Sequence, residues 1–179
     1  MIRGKIITSE NDTSEVMDVR RCAYADINAG AALCGRPPPC ERTCADIHAD
    51  EYDKMAIYAL AYDENGAPAA TGRLIIKDDR FYIGRVCTIK ELRGRGYGDL
   101  ITRMLLHRAL ALNAGAVYVS SPLYAVRFFT RYGFKPVNGI YTEENEPRQE
   151  MRANRDEIIL AGTCPASAAC ARSRREAAL

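Results

Sequence analysis

The chain has 179 residues, enough for one domain of ordinary size with its own hydrophobic core. It is 47% hydrophobic and 27% charged, so the composition predicts a globular protein rather than a disordered one. The formal net charge of +2 argues against a strongly basic nucleic-acid-binding protein, and no apolar run is long enough for a membrane span. Because the N-terminus lacks the apolar core of a signal peptide, we expect a cytoplasmic protein.

The cysteine content is high and the number, seven, is odd. A chain of this length without a signal peptide favours reduced thiols over a disulfide framework. Cys34, Cys40, Cys44 and His48 have a spacing that does not match the usual zinc pairs, although the last three would share one face of a helix over residues 41–49. We therefore expect no metal site. A zinc-stabilised interaction protein is the alternative, and metal analysis would reveal it.

The first half of the chain predicts a strand over Lys5 to Thr8 and a helix that begins with Thr13 or Ser14 as its N-cap. Residues 29–51 contain three consecutive prolines and three cysteines, which indicates a long loop or short-helix excursion of the kind that borders a site. Three strands with short turns follow and predict an antiparallel meander. They are Ala56 to Tyr62, Ala69 to Ile76 and Tyr82 to Ile89.

The second half alternates helices and strands. Helical spacing runs from Leu100 to Leu112. The later predicted elements are a strand over Ala116 to Ser120, a short helix over Pro122 to Tyr132 capped by Gly133, an extended segment that begins with Phe134 to Val137, and a final strand over Glu150 to Leu160. This order predicts an α/β (α+β) fold in which helices cover both faces of a mixed sheet. We expect a single domain over residues 1–160 and a flexible tail over residues 161–179.

Between a strand and a helix lies a glycine-rich segment, Arg93 to Gly98. Glycine lets backbone N–H groups approach a ligand closely, and the first turn of a helix leaves its N–H groups unpaired, so the segment is suited to phosphate. A Rossmann fingerprint would need a third glycine where Asp99 stands, and no P-loop string is present. The remaining pattern is R-x-x-G-x-G, at Arg93, Gly96 and Gly98.

This segment resembles motif A of the GNAT superfamily, the Gcn5-related N-acetyltransferases that use acetyl-CoA. Downstream, the family pattern A-x-x-F-[FY]-x-x-x-G-F recurs from Ala125 to Phe134. Several shorter patterns resemble the bacterial ElaA-like and YjcF-like branch. They occur at Asp18, Arg20, Arg21, Tyr24, Asp50 to Asp53, Gly72 to Leu74, Gly84 to Val86, Tyr141, Glu143, Pro147 and Met151.

The resemblance implies a mixed, mostly antiparallel GNAT sheet and an N-acetyltransferase that uses acetyl-CoA as co-substrate. Backbone N–H groups from Gly94 to Asp99 would hold the coenzyme A pyrophosphate. The preceding strand would splay from the Ala116 to Ser120 strand and pair with the pantetheine amides. The implied cofactor-binding residues are Val86, Cys87, Thr88, Arg93, Gly94, Arg95, Gly96, Tyr97, Gly98 and Asp99.

Two positions depart from the family pattern. Asp99 stands where many members carry a basic residue, so its side chain turns away from the phosphates or coenzyme A binds more weakly. Phe129 stands where members place a general-acid tyrosine, and Tyr124 and Tyr132 are either substitutes or packing residues. These departures keep an alternative open, a catalytically inactive acyl-CoA-binding or sensing module.

The chemistry requires a deprotonated amine, because a lysine-like amine with a pKa of about 10.4 is almost entirely charged at neutral pH. The resemblance points to Glu143 as the base, and a salt-bridged glutamate in an acidic loop is the alternative. Arg148 replaces a family histidine and suggests an acceptor that carries an acidic group. The predicted partners are a small-molecule or peptide amine, without nucleic acid or membrane, and the predicted state is a monomer or homodimer.

Overall fold

The structure, a computed structural model, describes residues 3–33, 50–143 and 146–160, except for the side chains of residues 25–33. Its strands are β1 (Arg3–Thr8), β2 (Ile57–Tyr62), β3 (Pro68–Lys77), β4 (Arg80–Thr88), β5 (Ala116–Pro122), β6 (Lys135–Glu143) and β7 (Glu146–Asn154). Its α-helices are α1 (Ser14–Leu33), α2 (Tyr97–Ala111) and α3 (Val126–Thr130). Short 3-10 turns occupy Glu51–Met55, Lys90–Leu92, Leu123–Ala125 and Arg155–Glu157.

All seven strands form one sheet in the order β1-β2-β3-β4-β5-β7-β6. Every neighbouring pair is antiparallel except β4 and β5, which are parallel. This arrangement confirms the predicted mixed, mostly antiparallel sheet. The candidate site lies beside this single parallel pair, β4 and β5.

The two faces of the sheet carry separate hydrophobic clusters. On one face, α2 buries Ile101, Leu105 and Leu106 against β-strand residues that include Ile83 and Val119. On the other face, α1 packs against the half of the sheet formed by β1 to β4, and the residues buried there include Ile7, Val16, Val19, Tyr58 and Leu60. Because side chains alternate along a strand, β2, β3 and β4 supply residues to both clusters.

The bounds of two predicted elements are wrong. Helix α1 extends to Leu33, so residues 29–33 are helical rather than part of a loop. Three of these five residues are alanines, which favour a helix more than the single Gly30 opposes it. Residues 34–49, with Cys34, Cys40, Cys44 and His48, lie outside the described residues.

The other error concerns the last strand, because β7 covers Glu146–Asn154 instead of residues 150–160. The extended segment predicted to begin at residues 134–137 is β6, which runs to Glu143. All nine residues of β6 are exposed, so the strand has no buried face whose apolar alternation would reveal it in the sequence. The predicted flexible tail over residues 161–179 lies outside the described residues.

No helix within the described ranges combines the length and the apolar character needed to cross a membrane.

Candidate active site

The parallel strands β4 and β5 are paired only at one end. The pairs run from Phe81 with Val117 to Ile83 with Val119. Beyond that point β4 continues beside β3, and β5 continues beside β7 as far as Pro122. The two halves of the sheet therefore diverge and leave a gap, as the family resemblance implies.

A β-bulge lies where the gap begins. Gly84 is opposite Arg73, whereas Cys87 is opposite Thr71, so β4 contains one residue more than β3 over this stretch. Arg85 has a φ of 53°, in the left-handed region that is unusual for a residue other than glycine. Such bulges redirect a strand and often occur beside active sites. Here the bulge coincides with the divergence of β4 from β5.

The backbone groups that face the gap follow from the hydrogen-bond pattern. The N–H of Ile89 donates to the carbonyl of Ala69, and Cys87 pairs with Thr71, so these β4 residues direct their backbone groups towards β3. Because the direction alternates along an antiparallel strand, Val86 and Thr88 direct theirs towards the gap. Two of the three predicted β4 positions thus direct backbone groups towards the gap, whereas Cys87 directs its groups towards β3.

The glycine loop leads from this gap to the start of α2. Gly94 and Gly96 have φ values of 78° and 90°. A Cβ built at either position would meet no atom within 4 Å, so the surface of the loop is open. Helix α2 begins at Tyr97, and its first-turn N–H groups have no partner within the helix. These features fit the predicted phosphate site.

The side chains of the loop have different environments. The guanidinium of Arg93 donates from Nε to the Thr88 carbonyl over 3.1 Å and from Nη2 to the Ala23 carbonyl over 3.5 Å, so it ties the loop to β4 and α1. Arg95 is exposed. The Tyr97 side chain is buried in the core, so only its backbone can contribute to a phosphate site.

Asp99 is held by two partners away from the loop. Arg103, one helical turn later, donates to its two carboxylate oxygens over 2.7 and 3.1 Å, and the Tyr132 hydroxyl donates over 2.8 Å. Burial opposes the charged form, but these hydrogen bonds outweigh it and hold the pKa of Asp99 below its usual value. Arg103 therefore compensates the negative charge at the helix start.

Replacing Tyr132 by phenylalanine is expected to lower the free energy of unfolding by about 1–2 kcal/mol, because Asp99 loses one hydrogen bond in a partly buried site. Chemical denaturation of the variant would measure the change. Tyr124→Phe is the control, since that side chain is largely exposed, and it should alter the stability by less than about 0.5 kcal/mol. Equal effects of the two substitutions would contradict the structural role of Tyr132.

The general-acid position is filled by a core residue. Phe129 is buried and packs edge-to-face against Phe128 and Phe134. Burial and the Asp99 hydrogen bond raise the pKa of Tyr132, whose hydroxyl is thereby committed to structure. Tyr132 is a packing residue, which is one of the two interpretations that the sequence left open. Tyr124 is largely exposed and is not a packing residue.

Cys87 packs beside the α1-facing cluster, and its burial raises the pKa of the thiol to about 12. The thiolate is the reactive form of cysteine, so this residue is a poor nucleophile at neutral pH. We expect iodoacetamide at pH 8 to alkylate the exposed Cys22 well before Cys87, as peptide mass mapping would measure. Preferential alkylation of Cys87 would contradict the partly buried, protonated thiol.

A buried ionic network connects α1, the Glu51–Met55 turn and β3. Asp53 accepts from Arg20 over 2.9 Å and from Arg73 over 2.8 Å. Arg73 also makes two 2.6 Å hydrogen bonds to the Asp50 carboxylate, and Arg85 at the bulge lies 3.4 Å from the same carboxylate. The network explains why several of the arginines and aspartates that resemble the family pattern occur together.

A polar cluster lies on the other side of the gap, where β5 leaves β4. Tyr141 Oη donates to Ser120 Oγ over 2.6 Å, and Ser120 Oγ donates to Glu143 Oε2 over 2.8 Å. Arg148 forms ion pairs with Glu143 and Glu146, each at 3.3 Å, and donates to the Ser120 carbonyl over 3.0 Å. Glu143 is thus both salt-bridged and close to the gap.

These contacts change the interpretation of Arg148. Two glutamates already balance its charge, so it is unsuited to an acidic group on the acceptor. The sequence pattern also missed Ser120 and Tyr141 as site residues. The available signal was that Ser120 ends the predicted strand beside the gap.

Within the described ranges, no group of three or more histidine, cysteine or acidic side chains could hold a metal ion.

A splayed parallel strand pair, a bulge beside it and an open glycine loop at a helix start define the class of acyl-CoA-dependent acyltransferases. The chain belongs to the GNAT acetyltransferase family, because the sequence profile of the acetyltransferase (GNAT) domain matches residues 43–154. The predicted family is therefore confirmed.

Individual relatives agree with this assignment. The chain is 26% identical over 91 residues to the N-acetyltransferase YjcF of Bacillus subtilis. The matched segment covers 51% of this chain and 64% of YjcF. An acyl-CoA N-acyltransferase from Pseudomonas aeruginosa shares the fold with a TM-score of 0.66 at 21% identity, covering 86% and 99% of the two chains. ElaA of Escherichia coli also shares the fold, with a TM-score of 0.63 at 21% identity, and the match covers 86% of this chain and 100% of ElaA.

Proposed function

We propose that the protein transfers an acetyl group from acetyl-CoA to a primary amine by direct attack within a ternary complex. The observation that carries the proposal is the continuous path from the open glycine loop, along the gap-facing edge of β4, to the polar cluster around Glu143. The acceptor is a small-molecule or peptide amine. Neither nucleic acid nor membrane is required, and the protein acts as a monomer or homodimer.

Coenzyme A binding would use mainly the backbone. The N–H groups from Gly94 to Asp99 would hold the pyrophosphate, where the helix dipole favours negative charge. The amides of Val86 and Thr88 would pair with the pantetheine arm as an added strand would. The stretch from Gly84 to Thr88 extends on the order of 15 Å, which suits an extended arm that reaches from the loop to the closed end of the gap.

Glu143 is the proposed base. A neutral amine forms a C–N bond to the thioester carbonyl carbon, the C–S bond breaks, and the thiolate leaves. Two protons leave the ammonium nitrogen in all, one to Glu143 before attack and one to the departing sulfur. Because a simple thiol has a pKa of about 8.5, the thiolate can leave without a tyrosine acid at position 129.

Two measurements test the proposal together. Calorimetric titration with coenzyme A measures the cofactor half of the site, and release of free thiol from acetyl-CoA in the presence of an amine panel measures the chemistry. We expect Glu143→Gln to keep the coenzyme A affinity and to lower turnover about 100-fold, a typical contribution of a general base. Failure to bind coenzyme A would overturn the whole proposal.

A second candidate is an acyl-CoA-binding or sensing module without turnover, and the observation that favours it is the buried Phe129 at the acid position. Tight coenzyme A binding with no thiol release on any amine would support this candidate. Turnover that depends on an amine would exclude it.

A further inference from the structure

The hydrogen bonds among Tyr141, Ser120 and Glu143 can run in only one direction. An ionised carboxylate accepts hydrogen bonds and cannot donate, so the Ser120 hydroxyl must donate to Glu143. A hydroxyl has a single proton, and the 2.6 Å contact between Ser120 and Tyr141 therefore requires the Tyr141 hydroxyl to donate. Burial raises the pKa of Tyr141, which keeps this hydroxyl protonated at neutral pH.

This direction determines what the cluster offers to a ligand. With its proton directed at Glu143, Ser120 has one lone pair left, and a lone pair can only accept a hydrogen bond. The nearby cation, Arg148, already contacts Glu143, Glu146 and the Ser120 carbonyl. A ligand that meets Ser120 must therefore donate, which suits an ammonium group and not a carboxylate.

Ser120 also has a defined position relative to the gap. It is the first residue of β5 after the last pair with β4, Ile83 with Val119. Val119 is buried on the α2 face, so the Ser120 side chain points to the opposite face. An arm that enters from the glycine loop and follows β4 ends at this closed end of the gap, which brings its reactive end to Ser120.

We infer that Ser120 is a catalytic residue that receives a proton from the acceptor's ammonium group while passing its own proton to Glu143, and that Tyr141 is a positioning residue for its hydroxyl. This inference rests on the proposed function. One N–H bond of the ammonium breaks as an O–H bond forms on Ser120, and the original Ser120 proton moves to Glu143 Oε2. The amine is then neutral and attacks the thioester carbonyl.

The test compares two minimal acceptors of similar size, ethylamine and trifluoroethylamine, each with saturating acetyl-CoA at pH 7. Ethylamine is an ammonium ion at this pH and needs the relay, whereas trifluoroethylamine is mostly neutral and does not. Ser120→Ala should lower kcat/KM about 100-fold for ethylamine and less than about threefold for trifluoroethylamine. Glu143→Gln should give the same pattern, and Tyr141→Phe a weaker version of it.

Ser121→Ala is the matched control, because this neighbouring serine is buried on the opposite face and bonds to the Pro122 carbonyl. It should not discriminate between the two amines, and all variants should keep the wild-type coenzyme A affinity. Equal losses for both amines in Ser120→Ala, or no loss for either, would overturn the relay. If the wild-type protein binds coenzyme A but acetylates no amine, the proposed function itself fails. This outcome differs from a failure of the relay alone, in which the wild-type protein still acetylates an amine.

Discussion

Replacing Gly96 by alanine is expected to weaken coenzyme A binding by about 10- to 100-fold. Gly96 has a φ of 90°, a conformation that alanine adopts only with strain. Its Cβ would project into the open surface of the loop, where the pyrophosphate is proposed to lie. Losing one charge-assisted hydrogen bond costs about 1.5–3 kcal/mol, which corresponds to this change in affinity. Isothermal titration calorimetry with coenzyme A would measure it.

The chain offers a matched control for backbone strain. Gly66, in the turn between β2 and β3, has a φ of 84°, and a Cβ there also meets no atom within 4 Å. Gly66→Ala should therefore lower the stability about as much as Gly96→Ala, by about 1 kcal/mol, without affecting coenzyme A affinity. If both substitutions weakened binding equally, the glycine loop would not be the phosphate site.

The second large effect concerns stability. Asp53→Ala is expected to lower the free energy of unfolding by about 3–5 kcal/mol, because Arg20 and Arg73 each lose a buried carboxylate partner. The Tyr58 hydroxyl loses its 2.9 Å hydrogen bond to the same carboxylate. Denaturant titration would measure the loss.

Asp18→Ala provides the comparison, since its ion pair with Arg21 is largely exposed and worth at most about 1 kcal/mol. A loss of less than about 1 kcal/mol for Asp53→Ala would show that the buried network contributes little to stability.

The same network predicts how stability depends on pH. Burial of Asp53 favours its neutral form, but Arg20, the Asp50 amide and Arg73 outweigh it and lower the pKa from 3.8 to about 2. The folded state therefore binds this proton less readily than the unfolded chain does. The resulting stabilisation is complete above about pH 4 and is lost as the pH falls through about 2. Thermal melts between these values should show a shallower decline for Asp53→Asn than for the wild type, and parallel declines would contradict the assignment.

The sequence predicted best what depends on local chemistry. The strand meander follows from alternation of apolar residues and short turns, and the glycine loop follows from residues that tolerate positive φ. The open glycine loop was therefore anticipated, and its role as a phosphate site stays a prediction. The hydrogen bond between Asp99 and Tyr132 was not anticipated, because Tyr132 lies in another part of the chain and only folding brings the two residues together.

Other features depend on pairing between distant strands. The direction of the Cys87 backbone is set by the bulge against β3, which no local pattern encodes. Strand β6 is exposed along its whole length, so its register depends on β7 rather than on a buried face. Ser120 and Tyr141 meet across β7, and their relation to Glu143 required the sheet order β5-β7-β6.

The short contact between β4 and β5 has a mechanical consequence. Among the described residues, the two halves of the sheet pair with each other only over Phe81–Ile83 and Val117–Val119. We therefore expect this contact to act as a hinge between them. A small rotation there, for example from a change in the volume of Ile83 or Val119, would change the width at the open end much more than at the hinge. Substitutions of these two core residues would therefore change the width of the gap in which the pantetheine arm is proposed to lie.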